Sequence, residues 1–331
     1  LIKKIKYVIT KETNPYKNLA LEAYLLNTVK EDECILYLWQ NERTVVIGKN
    51  QNPWKECKVA ELEEDGGILV RRMSGGGAVF HDLGNLNFTF LVSKENYDVE
   101  RQLQVILEAV KLRGIPAEKT GRNDISVEGR KFSGNAYFSD GIHCYHHGTI
   151  LVKADMMMLS HYLNVSREKL VSKGVESVRS RVTNLIEYNP DLSIDMVIED
   201  LMKAFQSTYD MNAEQIEITR LPAQELKKFE DKFSSWEWIY GKNISFNYCI
   251  SRRFSWGDIE VGFEIESGVI KDCRVFSDSL EIGLFETIAE RLCGLRFSTN
   301  EVIKELNQIP VNEGTEGILA DIVSFFQEEK L

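Results

Sequence analysis

Arg71-Arg72-Met73-Ser74-Gly75-Gly76-Gly77-Ala78-Val79-Phe80-His81-Asp82-Leu83-Gly84-Asn85 is the stretch on which the reading of this sequence turns. It is entered from the short apolar run Ile68-Leu69-Val70, and strand character resumes at Asn87-Phe88-Thr89-Phe90-Leu91. That is a strand feeding a loop. Three consecutive glycines remove Cβ atoms, so the backbone can approach a ligand closely and reach positive φ. Their N–H groups can ring an anion, and Arg72 adds a planar fork suited to phosphate or carboxylate. The pattern is neither G-x-x-x-x-G-K-[ST] nor a G-x-G-x-x-G opening a helix, so neither a P-loop nor a dinucleotide fold is indicated. A bare Ser-Gly-Gly-Gly is more often a surface turn. The flanking arginines and His81-Asp82-x-Gly84-Asn85 weigh against that, because loops rarely collect so many functional groups idly.

Outward from the loop, the elements alternate in kind. A helix is expected from Pro15, carrying Leu19, Ala23 and Leu26 at helical spacing. The apolar runs Cys34–Trp39 and Thr44–Ile47 read as a hairpin split by Asn41-Glu42-Arg43. Asp98 caps a helix with Leu103, Ile106, Leu107 and Val110 on one face, closed by Gly114 with Pro116 beyond. Ile125-Ser126-Val127 turns at Glu128-Gly129 into a second strand through Lys131, and Thr149–Val152 is a further strand. Ser193 to Tyr209 reads as a long amphipathic helix, and Asp210–Thr219 as a connection. A second unit begins near residue 250, with a hairpin over Ile259–Ile265 and Val269–Phe276 and helices near 280–294, 300–308 and 315–328. The class is α+β in two domains.

Composition narrows the function classes. The 331 residues are 43% hydrophobic and 27% charged, as in an ordinary globular protein. A net charge of −11 argues against a general nucleic-acid binder, which needs a basic face. Arg71 with Arg72 and Arg179 with Arg181 are local basic pairs in this acidic chain. Six cysteines without a C-x-x-C pair suit reduced thiols in the cytoplasm rather than a zinc site. No apolar run reaches membrane-span length, and Leu1-Ile2-Lys3-Lys4-Ile5-Lys6 lacks the apolar region of a secretory signal.

Three further clusters can carry chemistry. Lys131 sits in Gly129-Arg130-Lys131-Phe132-Ser133-Gly134-Asn135; alone it would be a solvated hairpin charge, but the hydroxyl, glycine and amide after it suggest a lined cavity. Asp124 can hold Mg²⁺ beside a triphosphate, since hard cations take carboxylate oxygens. In Gly141-Ile142-His143-Cys144-Tyr145-His146-His147-Gly148-Thr149, adjacent strand residues face opposite ways, so His146 and His147 should not share a metal. Cys144 and His146 share a face, which permits a Cys–His nucleophile, although a lone cysteine more often just packs. Met156-Met157-Met158 reads as core filler in a short helix.

Taken in order, these motifs resemble the ATP-dependent, two-domain bacterial lipoate–protein ligases of the biotin/lipoate protein ligase superfamily. The resemblance also runs through Val46-Ile47-Gly48-Lys49-Asn50-Gln51-Asn52-Pro53-Trp54, Gly121-Arg122-Asn123-Asp124, Val178-Arg179-Ser180-Arg181-Val182-Thr183-Asn184-Leu185, Ser235-Trp236-Glu237-Trp238 and Arg253-Phe254-x-Trp256-Gly257. It implies a catalytic domain of biotin/lipoate ligase fold over 1–246 and a small accessory domain over 251–331 that rotates between two half-reactions. It implies ATP or adenylate contacts at Arg72, Gly77, Ala78, Val79, Phe80 and Asn85. Further such contacts are implied at Asn123, Asp124, Lys131, Thr149, Gly174, Val178 and Arg179, with residues 174–185 forming an adenylate-binding loop. It implies lipoate contacts at Arg72, Ser74, Gly75, Gly76, His81 and Lys131, and at Ser133, Gly134 and His147. Lys131 is the implied catalytic residue, touching both the acyl carbonyl and the phosphate of lipoyl-AMP. Met73 departs from the small polar residue common at its position, and Cys144-Tyr145 departs beside His-His-Gly-Thr.

The implied reaction uses ATP, Mg²⁺ and lipoate and modifies a lysine of lipoyl domains, in E2 subunits of 2-oxoacid dehydrogenases and in the glycine cleavage H protein. A cytoplasmic monomer without nucleic-acid or membrane partners is expected. An octanoyl or lipoyl transferase of the same fold would instead use Cys144 and no ATP, and the module near 250–331 argues against it. A biotin ligase, or a non-catalytic protein that binds lipoyl-adenylate or the carrier, completes the set of readings.

Overall fold

The computed structural model describes residues 1–121, 124–164, 182–241 and 247–329. The chain opens with β1 (Lys4–Ile9), α1 (Pro15–Thr28), β2 (Glu33–Trp39) and β3 (Thr44–Ile47). Asn14 caps α1 by accepting from the amides of Tyr16 and Lys17, and Pro15 sits at the first helical position, where it lacks only a donor the helix would leave unpaired. Next come the short helices α2 (Pro53–Glu56) and α3 (Val59–Glu64), β4 (Ile68–Arg71), β5 (Val79–His81), β6 (Asn85–Ser93) and α4 (Val99–Lys111), with Asp98 as its cap. Then follow β7 (Ala117–Thr120), β8 (Asp124–Val127), β9 (Arg130–Ser139), β10 (His143–Leu151) and α5 (Met156–Tyr162).

β2 and β6 are buried along their whole lengths; β2 is a nearly continuous apolar run, while β6 alternates buried Asn85, Asn87 and Thr89 with Leu86, Phe88 and Phe90. On β2, Cys34, Leu36 and Leu38 join Leu86, Phe88, Phe90 and Val92 of β6 in the main core. That core is closed by α4 and by the helix Ile194–Tyr209. The opposite face carries Tyr37, Trp39 and Thr89 toward α1, whose Asn18 accepts from the Tyr37 hydroxyl at 3.0 Å.

With β11 (Ala213–Gln215) at one edge, the main sheet has eight strands in the order β11-β1-β2-β6-β10-β9-β8-β7. This edge strand pairs in parallel with β1, within the stretch expected to be only a connection. The expected hairpin between Cys34–Trp39 and Thr44–Ile47 does not form. β2 pairs with β1 and β6, while β3 belongs to a separate three-stranded sheet, β4-β3-β5. Chain proximity was outweighed by β1 and β6, which pair with the two edges of β2 and leave its faces to the main core and to α1. The helix Ala223–Ser234, unmarked in the sequence reading, packs on α1. The methionine run is also corrected: it does open α5, but Met157 and Met158 are 70% and 39% exposed, so they do not fill the core.

The chain divides into two compact units, residues 1–46, 56–71 and 79–239, and residues 47–55, 72–78 and 240–331. The second holds the antiparallel sheet β12 (Tyr248–Phe254), β13 (Gly257–Glu266) and β14 (Val269–Ser277), one strand more than the expected hairpin. Helices Gly283–Leu292, Thr299–Leu306 and Glu316–Glu329 close a core of its own around Val261, Phe263, Ile288, Ile322 and Phe325. The architecture is α+β in both units. No helix among the described residues is long and apolar enough to cross a membrane.

Candidate active site

Strand alternation explains where Lys131 points, but only after one irregularity is included. On β9 and β10 the register pairs Gly148 with Asn135 and His146 with Tyr137, and these side chains look toward the main core. Thr149, His147 and Tyr145 therefore look the other way, toward α1, as do Gly134, Ala136 and Phe138. Continued alternation along β9 would turn Phe132 to this second face and Lys131 into the core. The register with β8 instead shifts: Ile125 pairs with Ser133, but Ser126 pairs with Lys131, so Phe132 is an extra residue. This β-bulge lets Phe132 join the core and re-aims Lys131 to the α1 face. Burying an ammonium in that core would have been far less favourable.

The redirected side chain runs back over its own strand. A Cβ on Gly134 would stand 2.9 Å from Lys131 Nζ and 3.0 Å from its Cε, so the glycine leaves the space the lysine fills. Nζ reaches the Asp124 carboxylate at 2.6 Å, on the residue paired with Gly134. Lys131 and Asp124 are 37% and 36% exposed, accessible to a ligand yet mutually held. Thr149 Oγ1 accepts from the Gly134 amide at 3.3 Å. Gly148 is a second close approach, where a Cβ would meet Gly134 O at 2.6 Å and a Phe88 ring carbon at 2.7 Å.

Farther along the same face a buried polar ladder crosses three strands. His147 Nδ1 lies 2.8 Å from Glu22 Oε1, which also accepts from the Thr89 hydroxyl at 2.7 Å. Thr89 Oγ1 accepts in turn from Trp39 Nε1 at 3.1 Å. His81, on β5, has Nδ1 3.2 Å from Asn41 Nδ2. Asn85 is fully buried and donates to Asn87 Oδ1 at 2.9 Å. On the core face, His146 lies between Asn135 Oδ1 at 2.8 Å and Gln102 Oε1 at 3.2 Å, and complete burial pushes its pKa down to about 3. Ser133 is fully buried on that side, within 3.5 Å of Asn135 Nδ2.

The glycine-rich loop belongs to the second unit and is built differently. Arg72 is 6% exposed, and its Nε–Nη2 edge is turned inward on the loop. Nε donates to Ser74 Oγ at 3.0 Å, and Nη2 donates to the carbonyls of Gly75 at 2.7 Å and Gly77 at 2.8 Å. The Gly76 amide donates to Ser279 O at 2.8 Å. A Cβ on Gly75 would meet the carbonyls of Ser279 and Leu280 at 2.6 Å each, and one on Gly48 would meet Gly76 O at 2.2 Å. These glycines are needed for close backbone packing within the unit, and Gly76 also adopts φ +90°. Gly77, in contrast, faces open space. Arg71 belongs to the first unit, where its Nε donates to Trp238 O at 3.0 Å while Trp238 Nε1 donates back to Arg71 O at 2.8 Å.

The sequence-predicted residues thus separate. Asp124, Lys131, Gly134, His147 and Thr149 share one face of the large sheet; Ser133 turns to the other. Val79, Phe80, His81 and Asn85 are in the same unit, and Arg72, Ser74, Gly75, Gly76, Gly77 and Ala78 are in the second. Asn123, Gly174, Val178 and Arg179 lie outside the described residues. Glu22, Trp39 and Thr89 were not singled out by sequence reasoning. Asn18 and Glu22, polar residues four apart on the apolar side of α1, were the available signal for a buried network. Cys144 is 2% exposed, and burial raises its thiol pKa. It also lies five residues from Thr149 along β10, roughly 16 Å. A nucleophilic thiolate at the lysine is therefore not supported. Among the described residues no three His, Cys, Asp or Glu side chains form a metal-holding group.

The sequence and the fold match known proteins. Residues 14–206 match the model of the lipoyl protein ligase A/B catalytic domain, and residues 243–324 match the bacterial lipoate protein ligase C-terminus. A lipoate-protein ligase A of Psychrobacter cryohalolentis is 38% identical over 92% of this chain and 93% of its own. One of Bdellovibrio bacteriovorus is 39% identical over 93% of each. Among solved structures, P. falciparum LipL1 in complex with lipoate superposes with a TM-score of 0.85 at 32% identity, covering 98% of this chain and 99% of its own. A bipartite lipoate protein ligase from Thermoplasma acidophilum, studied with its E2 lipoyl domain, gives 0.65 at 27% identity over 74% and 99%. A lipoate-protein ligase A bound with ATP gives 0.63 at 26% identity over 73% and 99%. The chain belongs to the lipoate–protein ligases, a family of enzymes with a catalytic domain and a C-terminal domain.

Proposed function

We propose that this enzyme activates lipoate with ATP and transfers the lipoyl group to a lysine of lipoyl domains. Those of 2-oxoacid dehydrogenase E2 subunits and of the glycine cleavage H protein are the proposed acceptors. The observation that carries the reading is the aim of Lys131: a bulge-directed ammonium, seated over Gly134 beside Asp124, at one end of a sheet face lined with buried polar groups. Support comes also from relatives whose structures contain lipoate or ATP. In the first step a lipoate carboxylate oxygen attacks the α-phosphorus of ATP, the bond to the bridging oxygen of pyrophosphate breaks, and pyrophosphate leaves. In the second step a lysine amine attacks the acyl carbon, loses a proton and forms the amide as AMP departs.

AMP is a good leaving group, so neither step needs an enzyme nucleophile. Positioning and charge neutralisation carry the chemistry. Lys131 faces the acyl oxygen and the α-phosphate, and stabilises the negative charge that grows on each. The loop from Arg72 to Phe80 with Asn85 contacts the nucleotide, Ser74 lies near the acyl carbonyl, and the His147–Glu22–Thr89 ladder with Trp39 borders the lipoyl chain. Asp124 would hold Mg²⁺, one carboxylate completed by waters and phosphate oxygens being a usual arrangement; bound, the ion neutralises phosphate charge. We assign residues 1–246 to catalysis and 251–331 to the accessory domain, and place the enzyme in the cytoplasm as a monomer.

The deciding experiment is lipoate-dependent exchange of pyrophosphate into ATP, run with lipoate, octanoate and biotin in parallel. Exchange with lipoate that Lys131→Ala abolishes is the expected result. Full exchange in that variant, or exchange with biotin alone, would overturn the reading.

A further inference from the structure

Lys131 is redirected by a bulge, and a bulged strand start is a weak place from which to aim a charge unless something holds it. The holding segment is Val182–Tyr188. Val182 forms a parallel bridge to Lys131, and the Thr183 amide donates to Lys131 O at 2.9 Å. Arg130, the neighbour of Lys131 on the opposite face of β9, grips the same segment from its other side. Its Nη1 donates to Glu187 Oε2 at 2.7 Å, and its Nη2 donates to Val182 O at 3.1 Å and Glu187 Oε1 at 3.4 Å. Glu187 Oε1 accepts from the Asn184 amide at 3.2 Å, and the Asn184 side chain pairs both ways with the Ala154 backbone, at 2.8 and 2.9 Å. The Tyr188 hydroxyl donates to Val127 O at 3.3 Å. The exit of β8, the start of β9 and the chain after β10 are thereby tied to one short segment.

From this we infer that Arg130 is a positioning residue: with Glu187 it clamps Val182–Thr183 against the Lys131 backbone and so fixes the direction of the Lys131 ammonium. The inference rests on the role proposed for Lys131. Arg130 and Glu187 are 37% and 44% exposed, a pair whose loss should hardly change global stability. Its effect should instead fall on geometry, where small misplacements of a reacting group are expensive in rate.

The test compares Arg130→Met, Arg130→Lys and Glu187→Gln with Lys131→Ala in pyrophosphate exchange, alongside melting temperature and hydrogen exchange of the Thr183 amide. Arg130→Met should lower kcat by about ten- to a hundredfold. KM for ATP and for lipoate should hold within about twofold, the melting temperature should stay near wild type, and Thr183 should lose protection. Arg130→Lys, which can keep the charge but not the fork, should be intermediate. Glu187→Gln should resemble Arg130→Met, and combining the two should add little. Wild-type kcat in Arg130→Met and Glu187→Gln while Lys131→Ala is dead would overturn this inference alone. Activity lost only in proportion to melting temperature would do the same. Full exchange in Lys131→Ala would overturn the catalytic reading and this inference with it.

Discussion

Arg72 and Lys131 are the two cations on which the site was expected to depend, and the structure uses them in opposite ways. The Nε–Nη2 edge of Arg72 is buried and donates to the loop that carries it. Lys131 is partly exposed, and its ammonium passes over Gly134 to the Asp124 carboxylate. The chemistry of each side chain suits its place. A guanidinium is planar and forked, so it can bridge several fixed carbonyls; an ammonium is a compact point charge on a flexible stem. One edge of the guanidinium braces a loop, and the ammonium is the group proposed to serve the reaction.

The largest effect that tests this contrast is Lys131→Ala. Exchange is expected to fall by about 10²–10³ or more, with the fold intact by circular dichroism. A loss of folding in step with activity would mean that the lysine, too, is structural. Arg72→Lys comes next and should act the other way round. A single ammonium nitrogen cannot take the places of both Nε and Nη2 toward Ser74 Oγ and the carbonyls of Gly75 and Gly77, so chemical denaturation should show a stability loss of about 1.5–3 kcal/mol. Unchanged stability would remove the contrast. The glycines sharpen it further. Gly75→Ala would set a methyl against two backbone carbonyls and should destabilise by about 1–3 kcal/mol. Gly134→Ala meets only the end of a flexible lysine, so it should displace that lysine, lowering kcat about tenfold while the melting temperature holds.

The smallest effect concerns the opposite, core face of the sheet that carries Lys131. Burial lowers His146 from its usual 6.5 to about 3, so the unfolded chain takes up its proton first. Its contribution to stability is therefore complete above pH 6.5 and is lost as pH falls from 6.5 toward 3. The slope from this one group cannot exceed about 1.4 kcal/mol per pH unit. His146→Gln should flatten the acid limb of a denaturation profile in that window, and parallel profiles for variant and wild type would refute it.

Local signals were strong enough to read many elements directly. Pro15, Asp98 and Ser193 mark helix starts because each acts within its own first turn, the proline by lacking an unneeded donor and the other two by capping amides. The partnership of β2 and β3 was misread because adjacency in sequence is local, whereas the partners of β2 come from residues 4–9 and 85–93. The methionines of α5 were misread for a related reason. Apolar character sets a preference for burial, but the seven-residue helix offers too little surface against its neighbours to cover all three. At the site, the ordered motifs exposed Lys131, Asp124, Gly134 and the glycine-rich loop. The Glu22–Thr89–Trp39 ladder stayed hidden because its members come from three elements and form no linear pattern.

The sequence alone determined the α+β class, the loop, the lysine and, through the order of the motifs, the family. Tertiary structure alone decided where the two cations point. The extra residue at Phe132 is defined by the register of β9 against β8, not by either strand by itself, and it decides whether Lys131 faces the core or the site. The turn of Arg72 toward its own loop likewise depends on glycine backbones packed too closely for any side chain. Residue type and spacing are properties of one chain segment; direction is a property of two segments held in register, and it is direction that separates the lysine expected to react from the arginine that holds a loop together.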